Sequence, residues 1–178
     1  TIQESNTIGA VGGRVILPSG LLQEAGSIVW REGTCLGYAR DKAPEDDAVM
    51  FKRDVDYCSG VFLLTPTKVF CDMGGFDLRY APAYYEETDY CMRLWKQGLR
   101  VVYDPFVVLD HYEFGSSGTT DKAIKQMQVN QLKFLDAHRD FLADHEVMDE
   151  KNILTARMRN KSKGRVLLID DRVPMHKL

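Results

Sequence analysis

Tyr84-Tyr85-Glu86-Glu87-Thr88-Asp89-Tyr90-Cys91-Met92-Arg93-Leu94-Trp95-Lys96-Gln97-Gly98-Leu99-Arg100-Val101-Val102-Tyr103-Asp104-Pro105 decides the fold. Acids open the stretch, bases follow, and Gly98 stands just past its end. That is a helix whose dipole is complemented and whose last turn is closed by glycine. Leu99 to Asp104 then reads as a strand closed by Pro105. A helix that feeds straight into an apolar strand indicates an α/β domain.

Upstream, Ala10-Val11-Gly12-Gly13-Arg14-Val15-Ile16-Leu17 reads as a strand and Pro18-Ser19-Gly20 as a turn. Ala25 to Trp30 is a second short strand. Residues 40–54 are charged and predict a surface loop. Tyr57 to Leu64 is an apolar run of the length expected of a buried strand. Thr67 to Met73 predicts a short helix stopped by Gly74-Gly75. Downstream, Phe106 to Leu109 is another short apolar run, ending at Asp110-His111. Gly115-Ser116-Ser117-Gly118 is a loop. A long helix then runs to about His145, with Ile124, Met127, Leu132, Leu135, Phe141 and Leu142 as its apolar positions. Residues 146–163 predict a linker. Arg165-Val166-Leu167-Leu168-Ile169-Asp170-Asp171 reads as a fresh strand opening a second domain.

The balance of 44% hydrophobic and 28% charged residues over 178 residues is that of a globular domain plus a remnant. A net charge of −3 gives no basic excess for nucleic acid or an anionic membrane. No apolar run approaches the roughly 18 residues of a membrane helix. The opening residues carry no basic segment of a signal peptide. Cys35, Cys58, Cys71 and Cys91 have no CxxC spacing, which favours reduced thiols of a cytosolic protein.

Three features bear on chemistry. Glu86 and Asp89 share a helix face and Glu87 points elsewhere. They read either as a dipole-complementing first turn with an Asp89–Arg93 pair, or as a catalytic carboxylate at a helix N-terminus. His111 follows an apolar strand, at the end where open α/β sheets hold ligands; a structural histidine is the plainer reading. Asp54-Val55-Asp56 has the spacing of a metal-diphosphate motif but follows Phe51-Lys52-Arg53 rather than an apolar strand, which argues against metal binding.

The order of these segments carries a resemblance. Gly9 to Gly13, Tyr57-Cys58-Ser59-Gly60, Gly74-Gly75-Phe76-Asp77, the stretch quoted first, then His111 and Gly115 to Gly118 together resemble the C-terminal half of family 2 glycosyltransferases of the GT-A fold. The rhamnosyltransferase-like members that build bacterial surface polysaccharides are the nearest in pattern. The resemblance implies a mixed sheet flanked by helices. It implies an inverting transferase that moves a sugar from a nucleotide-sugar donor to a glycan or lipid-linked acceptor. Glu87 falls where the family carries its base, usually Asp, with Glu86 or Asp89 orienting it or the acceptor. Ser59, Gly60, Gly75, Tyr85 and Arg93 become substrate-binding candidates, and His111 a metal or diphosphate ligand. A divalent ion, Mn²⁺ or Mg²⁺, is expected in the complete enzyme and not in this half alone. The family also implies a cytoplasmic site, at the inner membrane face where lipid-linked acceptors are extended.

The resemblance divides the chain into an acceptor-side half over 1–145, a linker over 146–163, and the first strand of a following domain over 164–178. That last strand is similar to the opening of a second glycosyltransferase domain. The nucleotide-binding half is absent, so the rest of the polypeptide is an expected partner. Two rival readings stand beside this one. One is a non-catalytic glycan-binding or scaffolding module derived from a transferase. The other is a metal-dependent hydrolase using Glu86, Asp89 and His111.

Overall fold

A computed structural model describes residues 1–112 and 120–159. Strand β1, Ile8–Ile16, is buried along its whole length. Strand β2, Leu22–Ala25, returns antiparallel along one edge. After β2 come β3, Ser27–Val29, and β4, Cys35–Gly37, which pair antiparallel as a separate two-stranded sheet. Strand β5, Arg53–Asp54, and β6, Arg100–Asp110, complete the main sheet in the order β2-β1-β6-β5. β6 runs parallel to β1 and antiparallel to β5. The domain is therefore α/β, with a curled mixed sheet flanked by helices.

A parallel β1–β6 pair needs a crossover. It includes helices α1, Thr67–Asp72, and α2, Glu86–Lys96. As expected, Gly74-Gly75 follows α1, and both glycines are left-handed. At the end of α2, the N–H of Leu99 bonds to the carbonyl of Leu94 and that of Gly98 to Trp95. With Gly98 at φ 75° this is a Schellman closure, which turns the chain into β6. Gly9 on β1 lets Leu94 of α2 lie against the strand. A side chain at Gly12 would overlap Cys58, and one at Gly13 would overlap Val107. Three glycines in one buried strand thus mark close approach rather than a loop.

Four expectations change. Pro105 does not end a strand: 100–110 is continuous, and the register jumps from Gly12–Tyr103 to Arg14–Val108. Proline has no N–H to give the ladder, so it sits in this bulge, and Arg14 Nε donates to its carbonyl at 2.7 Å. The expected strand 25–30 is broken at Gly26, whose φ is 69°. The run 57–64 is not a strand. Tyr57 bridges Ser27 and Leu64 bridges Val11, but Phe62 N–H bonds back to Ser59 and turns the chain between them. The expected linker also packs on the domain as far as residue 159. A 3-10 turn and helix α4, Ile153–Ala156, lead to Arg157, which bonds to Tyr38 and the Ala48 carbonyl. Arg159 then pairs with Asp56 at 2.9 Å.

Helix α3, Thr120–Leu142, is longer than any other described element and ends three residues before the expected His145. The loop 115–118, residues 160–163 and the strand expected at 165–171 lie outside the described residues. No described helix is long and apolar enough to cross a membrane, and the four cysteines form no disulfide.

Replacing Gly12 by Ala forces a methyl group into Cys58 inside the sheet. The expected cost is about 3 kcal/mol, read as a lower urea midpoint at unchanged slope. An unchanged midpoint would mean that β1 and the 58–62 turn are not in contact.

Candidate active site

The entry to α2 is strained. Tyr84 and Tyr85 have φ of 75° and 76°, a left-handed conformation that side-chain-bearing residues avoid. Helix α3 holds them there. The fully buried amide of Asn130 donates to the carbonyls of Tyr80, Ala83 and Tyr84 at 2.8, 3.0 and 2.9 Å. Lys133 bonds to the Arg79 carbonyl and to Asn130 Oδ1. The Tyr85 hydroxyl donates to the Gly33 carbonyl at 3.0 Å.

The three acids that follow meet three environments. Asp89 is buried and bonded to Arg93 Nε at 2.7 Å, His138 Nε2 at 2.8 Å and the Tyr80 hydroxyl at 3.3 Å. Burial opposes its charge, but the bonds from His138 and Arg93 outweigh that and hold the carboxyl below its usual range. Arg93 also donates to the carbonyls of Met73 and Gly75, both at 2.7 Å. Glu86 is raised by burial, and its Oε2 is enclosed without a partner.

Glu87 lies on a cavity of about 340 Å³. Burial, then the charge of Glu86, pushes its carboxyl up to about 7; Glu24 adds to this, and the N–H groups of Glu87 and Gly60 offset part of it. Gly60 lies against the Glu87 side chain: a Cβ built there would sit 3.7 Å from Glu87 Cγ. Tyr57, Tyr84 and Tyr85 line one wall, and Met127 and Gln128 of α3 line another. Cys35 is also on the wall, and burial pushes its thiol up to about 12, so it is no nucleophile.

Sequence reasoning missed Asn130, Tyr57 and Glu24. Glu24 accepts from the N–H of Ser59 at 3.2 Å and the hydroxyl of Ser27 at 3.1 Å. Glu24 is buried with the rest of strand β2, an uncommon place for an acid.

Tyr85 and Glu87 therefore line the cavity, Gly60 lies against the Glu87 side chain, and Ser59 is held beside it through its N–H on Glu24. Asp89, Arg93 and Gly75 form a network at the side of α2 that faces α3 and the Gly74-Gly75 turn. His111 lies elsewhere, its N–H on the Ile16 carbonyl and its Nδ1 2.7 Å from Gln23 Oε1. Among the described residues no three His, Cys, Asp or Glu side chains gather as a metal-ligand set. Glu86, Asp89 and His111, required by the hydrolase reading, form no such group, and these residues do not by themselves fit a divalent ion. Asp54 and Asp56 are both engaged in the fold: Asp54 pairs with Arg100 at 2.6 Å, and Asp56 accepts from the Val29 N–H at 2.9 Å.

No protein-family model matches the chain. Over 77 residues the chain is 35% identical to rhamnosyltransferase WbbL of Escherichia coli (strain K12), a match covering 43% of this chain and 28% of that protein. Over 124 residues it is 23% identical to the uncharacterized protein y4gI of Sinorhizobium fredii, covering 67% of this chain and 14% of that protein. The chain thus spans less than a third of the length of either curated relative.

Two outcomes test this geometry. Asn130→Ala removes the three donated bonds and the one accepted from Lys133, leaving backbone carbonyls of the Tyr80–Tyr84 turn unpaired, so stability should fall by about 2 kcal/mol, measured by chemical denaturation. Glu87 keeps its proton to about pH 7 in the folded state, whereas the free side chain loses it near 4.5. The folded state binds more protons across that window, so stability should fall as pH rises from about 4.5 to 7. Glu87→Gln should flatten this fall and melt higher than wild type at pH 8. A variant that melts lower at pH 8 would show Glu87 to be stabilised as a carboxylate.

Proposed function

We propose that this chain is the acceptor-side half of an inverting glycosyltransferase with the GT-A fold, of the rhamnosyltransferase-like kind. The transferase moves a sugar from a nucleotide-sugar donor to a glycan or lipid-linked acceptor in surface polysaccharide synthesis. One observation carries the reading: a glutamate at a helix N-terminus, on a cavity, with its carboxyl raised to about 7. The partial likeness to a rhamnosyltransferase and the family order of segments support it. The work is assigned to the cytoplasmic side of the membrane. The nucleotide and the divalent ion are assigned to the remainder of the polypeptide.

In the reaction the acceptor hydroxyl attacks the anomeric carbon from the face opposite the leaving group. A C–O bond forms there, and the bond to the nucleoside diphosphate breaks through an oxocarbenium-like state. Glu87 takes the hydroxyl proton. A base with a pKa near the working pH combines adequate ionisation with adequate proton affinity, and a half-buried glutamate at about 7 meets both demands. The family commonly has the shorter Asp at this position. Here the constrained Tyr84–Tyr85 turn fixes where the longer side chain starts. Gly60, which lies against the Glu87 side chain, and its neighbour Ser59 are assigned to substrate contact. Asp89, Arg93 and Gly75 act by holding α2 in position.

The test is turnover of UDP-, GDP- and dTDP-sugars by the full-length protein with Mn²⁺. Glu87→Gln should lower transfer by about 10²-fold or more. In wild type, kcat/KM should rise with pH through about 7 and level off above it, because the ionised carboxylate is the active form. Turnover within a few-fold of wild type in the variant would remove Glu87 as the base. A folded protein inert toward every donor would favour the non-catalytic module.

A further inference from the structure

The polar groups around the Glu87 cavity are almost all neutral. Among the described residues lining it, none is a lysine or arginine, and Glu87 supplies the one carboxylate. Ile124, Met127, Gln128 and Gln131 follow the i, i+3, i+4, i+7 spacing that puts them on one face of α3. Gln131 Nε2 makes a long bond, 3.5 Å, to the Glu32 carbonyl. The Gln128 amide and the Tyr84 hydroxyl have no partner among the described residues. An amide presents two donors and an acceptor, which suits a pair of neighbouring hydroxyls that each donate and accept. The tyrosine rings and Met127 give the apolar wall that the C–H face of a sugar ring requires.

An anionic ligand would fare badly here. It would lose water, find no cation among the described lining residues, and face Glu87 with the charges of Glu86 and Glu24 close behind. A site excludes ligands through such unpaired charge as much as it selects through contacts.

We infer that the acceptor unit seated in this cavity is a neutral sugar, read by Gln128 and Tyr84, and that uronic acids are refused. This inference rests on the transferase reading for the identity of the site. It adds α3 as the element that sets acceptor choice. Nothing in the reading of Glu87 as base requires that choice, since a carboxylate base could equally serve a cavity with an arginine on its wall.

The experiment compares octyl glucoside and octyl galactoside with the matching octyl glucuronide and galacturonide as acceptors for the full-length protein at saturating donor. The better neutral glycoside should exceed its uronide at least ten-fold in kcat/KM. Gln128→Ala should raise the KM for that glycoside several-fold, and Gln128→Arg should shrink the neutral-to-acid ratio by supplying the missing cation. Equal use of the uronide, or an unchanged KM in Gln128→Ala, would overturn the inference. Wild-type hydrolysis of the donor without acceptor reports separately on the transferase reading. If no donor is turned over, titration of the same four glycosides against the full-length protein tests the cavity directly. A preference for neutral over acidic ligands that Gln128→Arg reverses would sustain the neutral-sugar site without the transferase. Binding with no such preference, or no binding at all, would overturn it.

Discussion

The buried carboxylate of Asp89 is the tie on which the site depends. It joins its own helix to α3 through His138, to the turn before the helix through Tyr80, and, through Arg93, to the carbonyls of Met73 and Gly75. Each of those segments supplies or supports a wall of the Glu87 cavity. An ion pair taken out of water is a weak source of net stability, but breaking one side of it costs about 3–5 kcal/mol. Its value here is geometric. It leaves α2 one position relative to α3, and therefore leaves the Glu87 side chain one place from which to reach the cavity.

The same fold holds an uncompensated carboxyl a short distance away. Among the described residues nothing positive lines the cavity, and burial raises Glu87, Tyr57 and Cys35 together. A pocket that disfavours every negative charge keeps its glutamate protonated to about 7 and so keeps it a competent proton acceptor near neutrality. The strain at Tyr84 and Tyr85 belongs to the same arrangement. A relaxed turn would not need three bonds from Asn130, and α3 would then have less hold on the start of α2.

The parts legible in the sequence were those fixed by local rules. The helix 86–96 and its glycine closure followed from charge order and Gly98, and the short helix at 67–72 from its glycine stop. The parts that were not legible depend on long-range partners. Pro105 suggested an end because a lone strand cannot use it, but a bulge beside Gly13 and the guanidinium of Arg14 accommodate it. Helix α3 misled through its buried stripe, which carries Asn130 and His138 among Ala123, Phe134 and Leu142. Leu132, an expected core position, is 68% exposed. Two polar residues in a core stripe blur the helical pattern, and they are the two through which α3 holds the site. Glu24 was hidden for the same reason, since only the folded chain brings it to Ser59.

The motif Glu86-Glu87-Thr88-Asp89 shows why a run of acids does not by itself name a base. One helical turn directs its carboxylates into separate surroundings, and those surroundings divide them. Asp89 meets Arg93 and His138 and stays ionised as a structural anchor. Glu86 is enclosed with one oxygen unpartnered, and its charge bears on its neighbour. Glu87 alone combines an elevated carboxyl with an open cavity. Paired groups whose surroundings drive their proton affinities apart are how a protein separates roles within one cluster. The separation here follows from α3, through His138 on one acid and the cavity wall on another, so the element that builds the cavity also decides which acid can act in it.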